Sequence, residues 1–176
     1  MNLTTDSIRR AYTAQAIFDT PLGPLLLART QSGLAGAWFD GQKHHPGELD
    51  ADPGPDDPLL QRAAAQLRRY FDGDAGPFAL PLDLHGSPFQ RAVWDALLCI
   101  PAGATRSYGE IARAIGSPQA VRAVGAAVGR NPLSVIVPCH RVVGSDGALT
   151  GYAGGIERKR ALLTLEHSLA HERKSA

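Results

Sequence analysis

Two cysteines in 176 residues, Cys99 and Cys139, leave no disulfide framework, which excludes the small stapled secreted scaffolds. No apolar run reaches the roughly 18 residues needed to cross a bilayer, so no membrane-spanning helix is expected. The start, Met1-Asn2-Leu3-Thr4-Thr5-Asp6, lacks the basic-then-apolar pattern of a secretory signal. The expected location is therefore the cytoplasm, whose reducing conditions suit a free thiol. Clustered Cys and His ligands are also missing. His44-His45 and His85 lie apart without metal spacing, so no metal and no other cofactor is expected. Internal repeats are absent. A net charge of +1 over the whole chain says nothing about a polyanionic partner.

Divided, the charge says more. Residues 1–85 hold 7 Lys/Arg against 11 Asp/Glu, a net of −4, whereas residues 86–167 hold 9 against 5, a net of +4. The basic half is the one suited to phosphates. A domain boundary near His85-Gly86 is expected, after the segment 78–84, with 1–85 and 86–167 as the two domains and 168–176 as a polar, frayed tail. Residues 14–39 read as two or three short strands with turns at Gly23-Pro24 and Ser32-Gly33. Residues 41–57, rich in Pro, Gly and Asp, read as a loop. Residues 59–71 read as a helix on Leu59, Leu60, Ala63, Leu67, Tyr70 and Phe71. Alternation of Phe78, Leu80, Leu82 and Leu84 suggests a strand or extended linker.

The second half is punctuated by helix signals. Ser87-Pro88-Phe89-Gln90 supplies a cap, a first-turn proline and a capping-box glutamine, opening a helix to about Cys99 that buries Phe89, Val93, Trp94 and Leu97. Cys99 itself reads as core. Ser107 and Glu110 form a second capping box for a short helix through Ile115. Gly116-Ser117-Pro118 then reads as a tight turn with a new cap and a first-turn proline, starting a helix over 118–128. Two short helices across such a turn make a helix-turn-helix candidate. On the second, Val121, Val124 and Val128 share one side and should pack on the core. The opposite side carries Gln119, Arg122, Ala123 and Ala126, small side chains around one arginine that let the backbone approach a grooved partner.

The most specific feature is Pro138-Cys139-His140-Arg141-Val142. A lone cysteine with a histidine at hand is a candidate nucleophile, although an isolated pair is more often a half-buried cysteine beside a surface histidine. The flanking residues reverse those odds. Asn131-Pro132, Pro138-Cys139-His140-Arg141-Val142, Gly151-Tyr152 and Gly154-Gly155 resemble the O6-alkylguanine-DNA alkyltransferases, also called methylated-DNA–protein-cysteine methyltransferases. Ser107-Tyr108-Gly109-Glu110-Ile111-Ala112, Arg122-Ala123-Val124-Gly125 and Leu162-Leu163 to Glu166 match as well. The resemblance is close over about residues 86–167 and loose before it.

The resemblance implies an α/β N-terminal domain, ribonuclease H-like with a small sheet plus helix, followed by a mainly helical, winged-helix-like domain with a helix-turn-helix. It implies a suicide DNA-repair protein that flips O6-alkylguanine, and O4-alkylthymine, out of double-stranded DNA and moves the alkyl group irreversibly to Cys139. Cys139, His140, Glu166 and Asn131 would form the catalytic set, with Glu166 orienting His140 and Asn131 fixing the turn before the cysteine. The DNA-binding residues would be Arg122, entering the base stack, Tyr108, pushing on the phosphate, and Gln119, Ala123 and Ala126. Tyr108, Val142, Tyr152, Ala153 and Gly154 would build the base pocket. Ala153 stands where many relatives carry serine. The expected partner is DNA alone, with no membrane and no obligate protein partner, the protein acting as a monomer. A thioether product carries no good leaving group, so repair should be stoichiometric. Along an extended chain, neighbours point to opposite faces; a bridging water, rather than direct contact, is then expected between Cys139 and His140. A lesion-recognition module that transfers nothing, or an unrelated cysteine hydrolase, would be the alternatives.

Overall fold

Turn residues break the first apolar runs into three strands. β1 (Ala14–Thr20) and β2 (Gly23–Arg29) form a tight antiparallel hairpin from Ala14↔Arg29 to Thr20↔Gly23, and Gly23 takes the positive φ of 110° that the turn requires. β3 (Leu34–Phe39) pairs antiparallel with β2, with a bulge between Ala28 and Arg29. The loop expected over 41–57 contains one further pairing, β4 (Asp52–Pro53), parallel to β1, giving the order β3-β2-β1-β4. The computed structural model describes residues 11–175, and side chains through residue 167; residues 1–10, which carry the N-terminal signal reading, lie outside the described residues.

β3 is buried along its whole length rather than at alternate positions. Leu34, Ala37 and Phe39 enter the main core, while Ala35 and Trp38 join a second cluster with Tyr12, Ala28 and Leu49. Both faces are therefore covered, which explains the unbroken apolar run. α1 (Pro58–Phe71) packs on the sheet through Leu59, Leu60, Ala63, Leu67 and Tyr70, and Asp57 caps it by accepting from the Leu59 and Leu60 N–H groups. The alternating segment 78–84 makes no long strand. It runs extended beside β3, with Leu34 N–H donating to Pro81 O at 2.8 Å and Asp83 N–H to Leu34 O at 2.8 Å.

In the second half, α2 (Pro88–Leu98) begins at the Ser87–Gln90 capping box and buries Val93, Trp94 and Leu97, with Phe89 half-buried. Cys99, expected in the core, is exposed, because the last turn of α2 points Leu98 and Cys99 outward. β5 (Arg106–Ser107) leads into α3 (Tyr108–Ala114), whose Ser107–Glu110 capping box is formed. α4 (Val121–Gly129) starts three residues later than expected. Ser117 is committed elsewhere: its N–H closes the end of α3 on Ala112 O, and its carbonyl accepts from Ala120 N–H in a turn. Helical bonding can then begin only beyond Ala120, so Gln119 lies in the turn and α4 has no side-chain cap. Val121, expected in the core, sits at the first helical position and is 41% exposed, while Val124 and Val128 are buried.

After α4, a 3₁₀ turn (Cys139–Arg141) leads to β6 (Val142–Val143), paired parallel with β5. α5 (Ile156–Ser175) closes the chain and continues through the segment read as a frayed tail. One core runs from Leu25, Phe39 and Leu67 in the first half to Trp94, Val124, Leu133, Cys139 and Leu162 in the second. The two halves thus share a single apolar interior.

Candidate active site

The segment from α4 to β6 is almost wholly buried, and one side chain organises it. Asn131 Nδ2 donates to Leu133 O at 3.3 Å, to Val137 O at 2.8 Å and to Cys139 Sγ at 3.0 Å, while its Oδ1 accepts from Leu133 N–H at 2.9 Å. Within this loop Val135 takes φ 73°, a left-handed value that a β-branched side chain adopts only under constraint from its surroundings. Cys139 and His140 are not on an extended chain, as the sequence reading assumed, but in the 3₁₀ turn. Sγ bonds Asn131, and His140 turns the other way.

His140 Nε2 lies 2.8 Å from Glu166 Oε1. The same carboxylate accepts from Arg141 Nε at 3.0 Å and Nη2 at 2.7 Å, and from the Tyr70 hydroxyl at 2.7 Å. Arg141 Nη1 continues to Ile100 O. Glu166, which spacing alone would leave as a surface helix charge, is 1% exposed. Burial acts to raise its pKa, but the hydrogen bonds and charges of His140 and Arg141 win and hold the carboxyl at about 2. Burial lowers His140, against the pull of Glu166. With Nε2 on the carboxylate, Nδ1 is the buried nitrogen left without a hydrogen-bond partner among the described residues, and so is the atom free to receive a proton. Burial pushes the Cys139 thiol up, opposed by the Asn131 bond and the Lys159 charge. Burial therefore works against a standing thiolate.

Lys159 is fully buried on α5, with Nζ donating to Val142 O at 2.5 Å and Thr150 O at 3.0 Å. Burial lowers its pKa to about 8, against the Cys139 charge. A cleft of about 570 Å³ is lined by Tyr108, Gly125, Ala126, Thr150, Gly151, Tyr152 and Ala153, together with Lys43, His44, Gly129 and Arg130. That volume falls within the usual range of small-molecule and nucleobase-sized sites. Tyr108 OH donates to Thr150 O at 3.0 Å. Cys139 is buried and does not line the cleft, but it neighbours Tyr108 and Tyr152, which do.

The structure brings Cys139, Asn131, His140 and Glu166 together, and Tyr108, Tyr152 and Ala153 into the cleft wall. Val142 and Gly154 are placed otherwise. Val142 is fully buried with its carbonyl on Lys159, and Gly154 lies under the Tyr152 ring, where a Cβ would come within 2.6 Å of Cε1. Arg122, Ala123 and Ala126 are exposed on α4, as is Gln119 in the preceding turn. Three site residues carried no assigned role in the sequence: Arg141, Lys159 and Tyr70. Lys159 had a signal, since it falls on the helical stripe of Ile156, Leu162, Leu163 and Glu166. Lys43 and His44 lie exposed in the loop read from the sequence, and Lys43 N–H also donates to Ala153 O at 2.8 Å, tying the cleft wall to the first half.

A buried thiol next to an imidazole that is bonded to a carboxylate, near a cleft flanked by a helix with an exposed small-residue face, is the arrangement of a protein that uses cysteine as its nucleophile. Residues 13–84 match the ribonuclease-like domain of 6-O-methylguanine DNA methyltransferase, and residues 88–168 match its DNA-binding domain. A methylated-DNA–protein-cysteine methyltransferase of Mycobacterium bovis is 53% identical over 152 residues, covering 86% of this chain and 91% of its own; one from Methanosarcina barkeri is 48% identical, covering 86% and 96%. The crystal structure of Mycobacterium tuberculosis OGT in complex with DNA superposes with a TM-score of 0.84 at 50% identity, covering 89% of this chain and 94% of that one. The chain belongs to the methylated-DNA–protein-cysteine methyltransferase family, with the ribonuclease-like domain preceding the DNA-binding domain. Among the described residues, no helix is long and apolar enough to cross a membrane.

Proposed function

We propose that this protein repairs DNA by flipping O6-alkylguanine, and O4-alkylthymine, out of the duplex and transferring the alkyl group to Cys139. The observation that carries this reading is the buried Asn131–Cys139 and His140–Glu166–Arg141 network near the cleft. An alkyl group on guanine O6 is inaccessible inside the stack, so the base must leave it, at a cost of a few kcal/mol. The exposed Arg122 on α4, with Ala123 and Ala126 permitting close backbone approach, suits insertion where the base departs. α3 and α4 then act as a helix-turn-helix, with α4 as the recognition helix and Gln119 at its entry. Tyr108, Tyr152 and Ala153 wall the base site, and Ala153 offers its backbone N–H to the guanine oxygen. Val142 and Gly154 serve from below, by packing.

In the transfer, a C–S bond forms and the alkyl C–O bond breaks, its electron pair passing to guanine. Cys139 gives its proton through a water to His140 Nδ1, and a proton returns to the departing guanine, so the charge balances. Glu166 stabilises the transient imidazolium from the opposite nitrogen, the role a carboxylate plays in hydrolytic triads. The thioether is not hydrolysed, so each molecule acts once. DNA is the only partner this reaction needs, and a monomer suffices.

The test is single-turnover transfer. Duplex DNA carrying one O6-methylguanine is mixed with wild type and with Cys139→Ser, and intact masses are recorded. A gain of one methyl on wild type alone, mapped to Cys139, is expected. Tight lesion binding without a mass gain would replace transfer with recognition.

A further inference from the structure

Of the groups bonded to Glu166, one comes from the other half of the protein. Tyr70 lies in α1, on the ribonuclease-like side, 96 residues before Glu166, yet its hydroxyl is 2.7 Å from Oε1. That oxygen also takes His140 Nε2 and Arg141 Nη2. Tyr70 is 1% exposed, and its ring is packed edge-on against Phe71 at 5.2 Å and tilted against Phe78 at 5.8 Å. Ring packing alone would be served by phenylalanine; a buried hydroxyl is retained where it has a partner. We propose that Tyr70 is a positioning residue for alkyl transfer, its hydroxyl holding Glu166 Oε1 where that oxygen orients His140. The first domain thereby completes the site chemically as well as by packing.

The direction of the effect follows from what the bond does. A donor on Oε1 spreads the carboxylate charge away from His140 and fixes the oxygen against rotation. Without it, more of the charge falls on His140, which becomes easier to protonate and less available as a base at a given pH. The other groups facing this pair are Arg141 from the 3₁₀ turn, Lys159 from α5, and Cys139 and Tyr152 on the cleft side. None of these is altered when Tyr70 loses only its oxygen.

This inference rests on the transferase reading, and one experiment separates the two. Single-turnover methyl transfer is followed from pH 5.5 to 9 for wild type, for Tyr70→Phe, for Glu166→Gln and for the two combined, with duplex affinity measured in parallel. Tyr70→Phe is expected to slow transfer about tenfold near neutral pH, the effect of losing one charge-assisted hydrogen bond. It should move the acid limb of the rate profile to higher pH and leave the affinity for DNA unchanged. In the Glu166→Gln background the same change should have no further effect on the limb. Site-specific 3-fluorotyrosine at position 70, a stronger donor of the same size, should move the limb the other way, and it provides the test should Tyr70→Phe fold poorly. An acid limb that neither Tyr70→Phe nor 3-fluorotyrosine moves from its wild-type position would overturn the proposal. No transfer by wild type would overturn the transferase reading, and this inference with it.

Discussion

Asn131 shows how much one side chain can carry. It accepts one backbone bond, donates two and reaches the nucleophile with a third. Replacing it by alanine leaves the buried Leu133 N–H without this partner, at about 1–3 kcal/mol, and takes one of two donors from the Val137 carbonyl, which keeps the Cys139 N–H at 2.8 Å. Asn131→Ala should lower the unfolding free energy by about 3 kcal/mol in urea titration and slow transfer in the protein that remains folded. A loss under ~1 kcal/mol would mean that the loop, including the strained Val135, holds itself. At this scale the sequence was legible where residue types cluster in a motif. Cys139, His140 and Asn131 could be named from it, and Glu166 through its spacing from Leu162-Leu163. Tyr70 could not, because nothing local marks a tyrosine on an ordinary helix stripe as a partner for a carboxylate 96 residues on. Val142 and Gly154 illustrate the converse: residues near the site by sequence turned out to support the cleft rather than line it.

The helices were read correctly where caps are local chemistry and incorrectly where two elements compete for the same residue. Both capping boxes, Ser87–Gln90 and Ser107–Glu110, form as their spacing predicts. Ser117-Pro118 carries similar cap signals, yet α3 takes the Ser117 N–H for its own terminus and α4 begins late. Strand β3 hid its burial for a related reason: alternation is lost when a strand is covered on both faces. The Ser107 cap has a functional bearing, since α3 opens with Tyr108 in the cleft wall. Ser107→Ala should cost about 1 kcal/mol of stability. It should also weaken lesion binding in a fluorescence titration, because the first turn of α3 is then free to fray. Unaltered stability would show that the parallel β5–β6 pairing, and not the cap, fixes the start of α3.

At the scale of the whole molecule, the acid limit of stability should lie in the same network as the chemistry. Glu166 is held at about 2, below the ordinary 4.5. A depressed carboxyl contributes stability that is fully present above about 4.5 and is lost as pH falls towards 2. The shift corresponds to about 3 kcal/mol. His140, lowered from 6.5, acts with the same sign, since the unfolded chain binds its proton first and stability begins to fall below that pH. Thermal unfolding between pH 7 and 3 should therefore show a steep loss in wild type and a flatter one in Glu166→Gln. Parallel profiles would place acid sensitivity elsewhere. The two-part arrangement itself was legible from the charge division and the motifs. What composition could not reveal is that the halves share one core and that Lys43 of the first half ties down Ala153 in the cleft of the second.

The carboxylate that holds His140 lies 26 residues beyond it, on α5. A ribosome releases a chain from its N-terminus, at roughly 5–20 residues per second. Cys139 is therefore synthesised before Glu166, and for a few seconds a nascent chain carries the sulfur without the carboxylate that bonds His140. On the mechanism proposed above, competence arrives only as α5 docks, so a product truncated before Glu166 would be a slower alkyl acceptor.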